Sequence, residues 1–117
     1  MNNDVLVKSI NLSLIVFKED EGYIAYCPAL ELCGCGNTKS KAQESFNIVL
    51  EEYIRYTTEN QTLVADLEKH GWKIIKKGDE LIPPKISELF QRNHDMENIF
   101  NKYNFNKRSI PVKMQLA

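Results

Sequence analysis

A chain of 117 residues has the length of one small domain and leaves little room for a second. Its net charge of −1 excludes a protein-wide attraction to nucleic acid or to anionic membranes, though not a local basic patch. No apolar run approaches the roughly 18 residues of a membrane span, and residues 1–4 do not resemble a signal peptide. We therefore expect a cytoplasmic protein without membrane contact, in which Cys27, Cys33 and Cys35 are free thiols.

The chain up to Gly36 follows the two-residue period of β-strands. Residues 5–17 predict a long first strand with an aliphatic core face, formed by Ile10, Leu12, Leu14 and Val16. The charged residues 18–22 predict a hairpin turn, and residues 23–27 a second strand that Pro28 stops. With a third strand at residues 32–36, these short connections predict an antiparallel meander.

Beyond Gly36 the apolar period changes from two residues to about 3.6, which is typical of a helix. Thr38 or Ser40 supplies its N-cap, and Ser40 with Gln43 has the spacing of a capping box. One apolar stripe is expected to pack on the meander: Ala42, Phe46, Val49, Leu50, Tyr53, Ile54 and Thr57. The residues Glu44, Glu51, Glu52 and Arg55 lie off that stripe.

The rest of the chain predicts shorter elements. Residues 62–69 form a helix that His70 and Gly71 end, and residues 72–76 form a fourth strand. Pro83 and Pro84 mark an extended linker, which precedes a broken helical stretch at residues 88–103 and a last strand at residues 108–116. The predicted class is α+β: a three-stranded meander plus a fourth strand with one packed amphipathic helix (residues 1–78), and a helical extension ending in a strand (residues 79–117).

Two segments carry a resemblance to a known family. Residues 21–30, EGYIAYCPAL, combine an acidic turn, Gly-Tyr, an alternating strand and a proline. Residues 33–38, CGCGNT, place a glycine, a small polar residue and a threonine before a helix. The pattern resembles the HicB antitoxins over residues 12–56, and more loosely over residues 62–75.

The resemblance implies a partial ribonuclease H fold and an antitoxin that neutralises HicA, a small basic toxin that cleaves mRNA. Many HicB proteins also carry a C-terminal helix-turn-helix or ribbon-helix-helix segment that represses their own operon. This chain departs from that pattern, since a ribbon-helix-helix needs two helices after its strand and none is predicted after the strand at residues 108–116. A helix-turn-helix would need residues 87–103, which supply one broken helix with few cations. The resemblance therefore does not extend to DNA binding.

The sequence does not predict an enzyme. An active ribonuclease H site needs several carboxylates around two metal ions, whereas residues 10–17 contain none and Glu44 lies in a first helical turn. A cysteine nucleophile with His70 as its base lacks an electropositive setting. The Cys33-Gly-Cys35 spacing is too tight for structural zinc and has no second pair. We expect no catalytic residue, no metal and no cofactor.

Five residues are candidates for binding a partner. The acidic run Glu19-Asp20-Glu21 is either a solvated hairpin tip or a charged patch that attracts the basic toxin. Tyr23 and Tyr26 project from opposite faces of the second strand, so at least one lies on the outer face or near an edge. Exposed tyrosines are favoured interface anchors.

The last strand places Ile110, Val112 and Met114 on one face, together with Leu116. Pro111 lacks a ladder donor and predicts an edge strand. We expect the strand to dock either on its own sheet or across a homodimer, and the second is favoured. Two functions remain: a HicB-like antitoxin that binds a HicA-type toxin, or a stand-alone structural or regulatory domain without a toxin.

Overall fold

The structure, a computed structural model, describes residues 7–75, 80–85, 88–89, 99, 101 and 105–115. It has the α+β architecture that the sequence predicts. The elements in chain order are β1 (Val7–Glu19), β2 (Gly22–Cys27), β3 (Leu32–Gly36), α1 (Lys39–Glu59), α2 (Leu63–Lys69), β4 (Lys73–Ile75), β5 (Glu80–Ile82) and β6 (Phe105–Gln115). Within these residues, neither helix has the length and apolar character needed to cross a membrane.

The predicted meander is confirmed as part of a four-stranded antiparallel sheet with the order β3-β2-β1-β6. A two-residue loop, Asp20 and Glu21, joins β1 to β2, and Glu19 pairs with Gly22 across it. Asp20 adopts a φ of 56°, which a short polar side chain tolerates better than a branched one. The β1–β2 connection was therefore predictable from its turn residues.

The N-terminus of α1 is capped by Thr38 and not by Ser40. The Thr38 Oγ1 accepts a hydrogen bond from the backbone N–H of Lys41 at 3.1 Å, while Ser40 already lies in the first turn. The apolar stripe is confirmed, because Ala42, Phe46, Leu50 and Thr57 are buried. A helix of 21 residues with one buried stripe is stabilised mainly by the sheet beneath it.

Two glycines on β3 let α1 lie unusually close to the sheet. A Cβ atom added at Gly34 would lie 2.2 Å from the backbone nitrogen of Phe46, and one at Gly36 would lie 2.7 Å from that of Ala42. Both distances are far below van der Waals contact, so the backbones of helix and strand touch here. As a result α1 packs mainly over β3 and β2 and leaves the β1–β6 side of the sheet less covered.

Both faces of β1 are buried, whereas the sequence assigned the core to one. The predicted core side is confirmed, since Leu12, Leu14 and Val16 lie in the main hydrophobic cluster under α1. On the opposite face, however, Ile15 and Phe17 are buried as well, in a second cluster with Leu89 and Ile99. The extension after β5 therefore covers part of the second face of the sheet, which alternation in β1 alone could not reveal.

The predicted fourth strand exists but does not join the main sheet. Among the described residues, strand β4 pairs with β5 in a separate two-stranded sheet, and β5 lies between the predicted fourth strand and the predicted linker, where no strand was expected. Ile74 and Leu81 pack against the main core, as does the buried Trp72, whose Nε1 donates to the carbonyl of Ala29 at 2.8 Å. This ribbon closes one end of the core.

The fourth strand of the main sheet is β6, which pairs with β1 over its whole length, from Phe17 with Phe105 to Val7 with Gln115. Glu19 and Gly22 flank a two-residue loop, so they form a hydrogen-bonded pair between β1 and β2. Backbone N–H and C=O groups of successive residues point to opposite sides of a strand, so the even residues of β1 bond to β6, and their partners are the even residues of β6. Pro111 therefore turns its nitrogen to the free edge and removes no bond to β1. The predicted edge strand is confirmed. Most of the predicted stretch at residues 88–103 lies outside the described residues.

Candidate partner-binding surface

The hairpin tip is the first predicted site, and two of its three carboxylates are well placed. Asp20 and Glu21 are exposed, whereas Glu19 is half-buried at the end of β1. A hollow of about 230 Å³ beside this end of the sheet is lined by Lys18 and Lys39 together with Tyr23. These cations offset part of the negative potential of the tip, so its net attraction for a basic partner is smaller than the acidic run indicates.

The two predicted tyrosines lie on opposite faces of β2, as expected, and both are half-buried. Tyr23 packs against the main core on the helix side, and Tyr26 packs against the second cluster beside Ile15 and Phe17. Each ring is thus fixed by its own domain and offers only part of its surface. Neither resembles the freely exposed aromatic side chain that the sequence interpretation required.

A stronger candidate is the face of α1 that points away from the sheet, which the sequence interpretation treated only as the polar side of a helix. We call this surface the α1 outer face. All of its members are exposed: Glu44, Ile48, Glu51, Glu52, Arg55, Tyr56 and Glu59. Four carboxylates stand against two cations, Arg55 and the exposed Lys41 three residues before Glu44, which leaves a local charge of −2 in a protein whose total is −1. The negative charge is therefore concentrated on this face.

Two large apolar side chains lie within this acidic surface. Ile48 is 64 % exposed and Tyr56 is 65 % exposed, the highest values among the large hydrophobic residues that the structure describes. They are eight positions apart, or about two helical turns and about 12 Å along the helix axis, so one partner surface can contact both. Exposed aliphatic and aromatic groups surrounded by charge are typical of protein interfaces.

One of the two cations on this side of α1, Arg55, is already paired. Arg55 Nη2 lies 2.6 Å from Glu52 Oε2, and Arg55 Nη1 lies 3.5 Å from Glu59 Oε1. Both pairs are exposed and add little to stability. Their effect is to neutralise Glu52 and Glu59 in part, so Glu44 and Glu51 carry the negative charge with which a basic partner would interact.

A groove lies beside this face, between α1 and β6, and has a volume of about 520 Å³. It exists because one helix packed over β3 and β2 cannot also cover β6. The lining combines polar residues, among them Glu51 on the helix and Lys113 on the strand, with four large apolar residues: Leu50, Ile54, Ile110 and Val112. Arg108 spans the sheet side with a hydrogen bond from Nη1 to Gln43 Oε1. Glu51 belongs to both the groove and the α1 outer face.

The residues considered for catalysis are placed in structural roles. Cys27 is buried, and burial raises the pKa of its thiol from 9.0 to about 11, against a smaller lowering by the N–H groups of Leu30 and Ala29. A high pKa keeps the sulfur protonated and a poor nucleophile. Glu44 is exposed on α1. Among the described residues, no group of three or more His, Cys, Asp or Glu side chains could hold a metal.

His70 belongs to a polar cluster that ties α1, α2 and the turn before β3 together. Its Nδ1 lies 2.8 Å from the carbonyl of Asp66, and its Nε2 lies 3.5 Å from Glu31 Oε2. Tyr53 donates its hydroxyl hydrogen to the Asp66 carboxylate. Burial, followed by this bond to Asp66, raises the pKa of Tyr53 above its ordinary value of 10.0. The cluster therefore links α1, α2 and the turn before β3 to one another.

The residues predicted for a dimer lie in the core of their own chain. Val112 and Met114 are buried in the main cluster, and Ile110 packs against it. Their alternation is thus explained by the pairing of β6 with β1, the first of the two alternatives for this strand. The homodimer stays a prediction.

Comparison of the chain with models of known protein families, with curated protein sequences and with solved structures finds no match.

Proposed function

We propose that the chain is a partner-binding domain of the HicB-like antitoxin type, which neutralises a small basic HicA-type toxin by binding it. The observation that carries the proposal is the α1 outer face, where four glutamates surround the exposed Ile48 and Tyr56. Negative charge attracts a basic protein and speeds its association, while the apolar side chains supply contact area that excludes water. The resemblance of residues 12–56 to HicB proteins supports the same class of partner.

The proposal does not require a catalytic group in this chain. An antitoxin acts by covering a surface of the toxin, so its affinity depends on shape, buried apolar area and charge. The α1–β6 groove adds an apolar recess next to the acidic face, with Glu51 shared between them. A basic partner that contacts the α1 outer face would therefore place an apolar side chain or a helix against Leu50 and Val112.

The test uses the protein encoded by the open reading frame next to this chain's gene, which the proposal expects to be small and basic, purified and added at known concentrations. Two matched variants each remove two negative charges without changing side-chain shape: E44Q/E51Q on α1 and D20N/E21Q at the hairpin tip. Both change the net charge from −1 to +1, so long-range attraction to the whole protein falls equally in the two. A difference between them therefore localises the interface.

We expect E44Q/E51Q to slow association at low salt by several-fold more than D20N/E21Q, and the difference to shrink at high salt. Ile48→Asp should speed dissociation at least about 10-fold, since a charge would be buried against the partner. If the two double variants slow association equally, α1 is not part of the interface. If the neighbouring protein neither binds nor loses its RNA-cleaving activity, the antitoxin proposal fails and a stand-alone domain is favoured.

A further inference from the structure

The second face of the sheet carries a pair of thiols that the proposed function does not use. Cys33 and Cys35 are both free and both exposed. They pair with Tyr26 and Ile24 of β2 respectively, so they lie on the same face of β3, two residues apart. Strand β3 is the outermost strand of the sheet. A ligand can therefore reach both sulfurs from solvent.

The backbone around the pair is fixed by neighbouring contacts. Gly34 lies between the two cysteines and touches the backbone of Phe46 on the opposite face, which holds the strand against α1. The N–H of Cys35 points to the free edge and donates to Ser45 Oγ at 3.2 Å. The spacing of the two thiols is thus set by an anchored strand and not by a loop.

This spacing excludes a disulfide and suits a bridging ion. Residues two apart in a strand lie about 6.6 Å from each other, whereas a disulfide needs Cβ atoms about 3.5–4.5 Å apart. Rotation about χ1 moves each sulfur along the strand toward the other. Two metal–sulfur bonds of about 2.3 Å each span about 4.6 Å, which the leaning sulfurs can reach.

We infer that Cys33 and Cys35 form a two-thiolate site for one soft monovalent cation, Cu(I). Thiolate ligands favour Cu(I), zinc and iron–sulfur clusters. A structural zinc ion and an iron–sulfur cluster each take four protein ligands. No further Cys, His, Asp or Glu among the described residues joins the pair to make three. Cu(I) is satisfied by two thiolates in a linear arrangement. The tight spacing that excludes structural zinc is therefore the spacing that this ion fits.

Binding is a substitution of protons by the metal and transfers no electrons. Each thiol releases its proton to solvent, one copper–sulfur bond forms at each sulfur, and copper stays in the +1 state throughout. Because protons are released, uptake is expected to strengthen as pH rises. The site lies on a different element from the α1 outer face, so this inference does not rest on the proposed function.

The experiment is an anaerobic titration of the reduced full-length protein with Cu(I) held by the coloured chelator bathocuproine disulfonate. Loss of the chelator's colour measures transfer to the protein, and native mass spectrometry counts copper per chain. We expect one Cu(I) per chain, and uptake weaker by at least about 100-fold in Cys33→Ser and in Cys35→Ser, since each removes one of two direct ligands and the loss of an outer-shell partner alone costs about 10–100-fold. The matched control is Cys27→Ala, whose buried thiol is not part of the site; its uptake should equal wild type.

Two results would overturn the inference. Unchanged uptake by the C33S/C35S double variant would place the copper elsewhere in the chain. One copper shared by two chains, kept by either single variant, would mean that the thiols act singly between copies. Circular dichroism of each variant, expected to match wild type because both cysteines are exposed, shows whether a loss of uptake reflects the ligand or the fold.

Discussion

The close contact between α1 and β3 makes a sharp prediction for Gly34→Ala. The added Cβ would lie 2.2 Å from the Phe46 nitrogen and 2.6 Å from its Cα, against an ordinary contact of 3.4 Å or more. The helix must therefore move by about 1 Å or more, and a gap of that size removes a quarter to a half of the dispersion energy along the contact. Phe46 and Ala42 are fully buried there. We expect the free energy of unfolding to fall by about 3 kcal/mol.

The measurement is equilibrium unfolding in urea, followed by the fluorescence of Trp72, the single tryptophan, which is 3 % exposed in the fold. The matched control is Gly22→Ala on β2. A Cβ there meets only the carbonyl oxygen of Gly36 at 3.4 Å, and Gly22 does not have a positive φ. Its free energy of unfolding should stay within about 1 kcal/mol of wild type, or rise slightly because the unfolded chain loses freedom.

The clash at Gly34 involves backbone atoms, which gives a second check. Truncating the neighbouring side chain in a G34A/F46A double variant should not restore stability, since the nitrogen and Cα of residue 46 remain in place. Equal urea midpoints for Gly34→Ala and Gly22→Ala would refute the reasoning. So would recovery in the double variant, because the contact would then be one of side chains.

Three further outcomes are expected. Because burial raises the pKa of Cys27 from 9.0 to about 11, the stability that its neutral thiol contributes is fully present below pH 9 and is lost as the pH rises to about 11. The free energy of unfolding should therefore fall by about 2–3 kcal/mol over that interval. Urea unfolding at each pH should show a smaller fall in Cys27→Ala and the same fall as wild type in Cys33→Ser. Trp72→Phe leaves the Ala29 carbonyl without its buried donor and should cost about 1–3 kcal/mol in chemical unfolding, whereas full stability would mean that the bond is not formed. Deleting residues 105–117 exposes β1 as an edge and should give an unfolded or aggregating chain by sedimentation, while a stable product of lower oligomeric state would support the predicted dimer instead.

Local patterns in the sequence determined most of the individual elements. The alternation of Leu12, Leu14 and Val16 set the core side of β1, and a charged turn ending on glycine set the β1–β2 hairpin. The stripe from Ala42 to Thr57 set the buried side of α1. These features depend on neighbours within a few residues, so a single sequence contains the information. The prediction that Pro111 belongs to an edge strand is confirmed for the same reason, since a missing N–H constrains its own strand.

Which strand lies beside which was decided by tertiary contacts. Residues 72–76 predicted a fourth strand without fixing its neighbour, and the apolar side chains of Trp72 and Ile74 are buried by a separate ribbon that β4 forms with β5. The place beside β1 went to β6, whose eleven residues offer a longer ladder than the three of β4. An alternating pattern predicts that one face of a strand is buried, but it does not predict which sheet the strand joins.

The candidate binding surface depended on the tertiary structure for the same reason. Glu19, Asp20 and Glu21 stand out in the sequence because they are consecutive, whereas the glutamates of the α1 outer face are dispersed over four turns and gather only on a folded helix. Ile48 gave no signal in the linear chain, because it begins the apolar run Ile48-Val49-Leu50 and is therefore equally consistent with burial. Its exposure follows from where α1 contacts the sheet, and that is set by the missing side chains of Gly34 and Gly36 on a different strand.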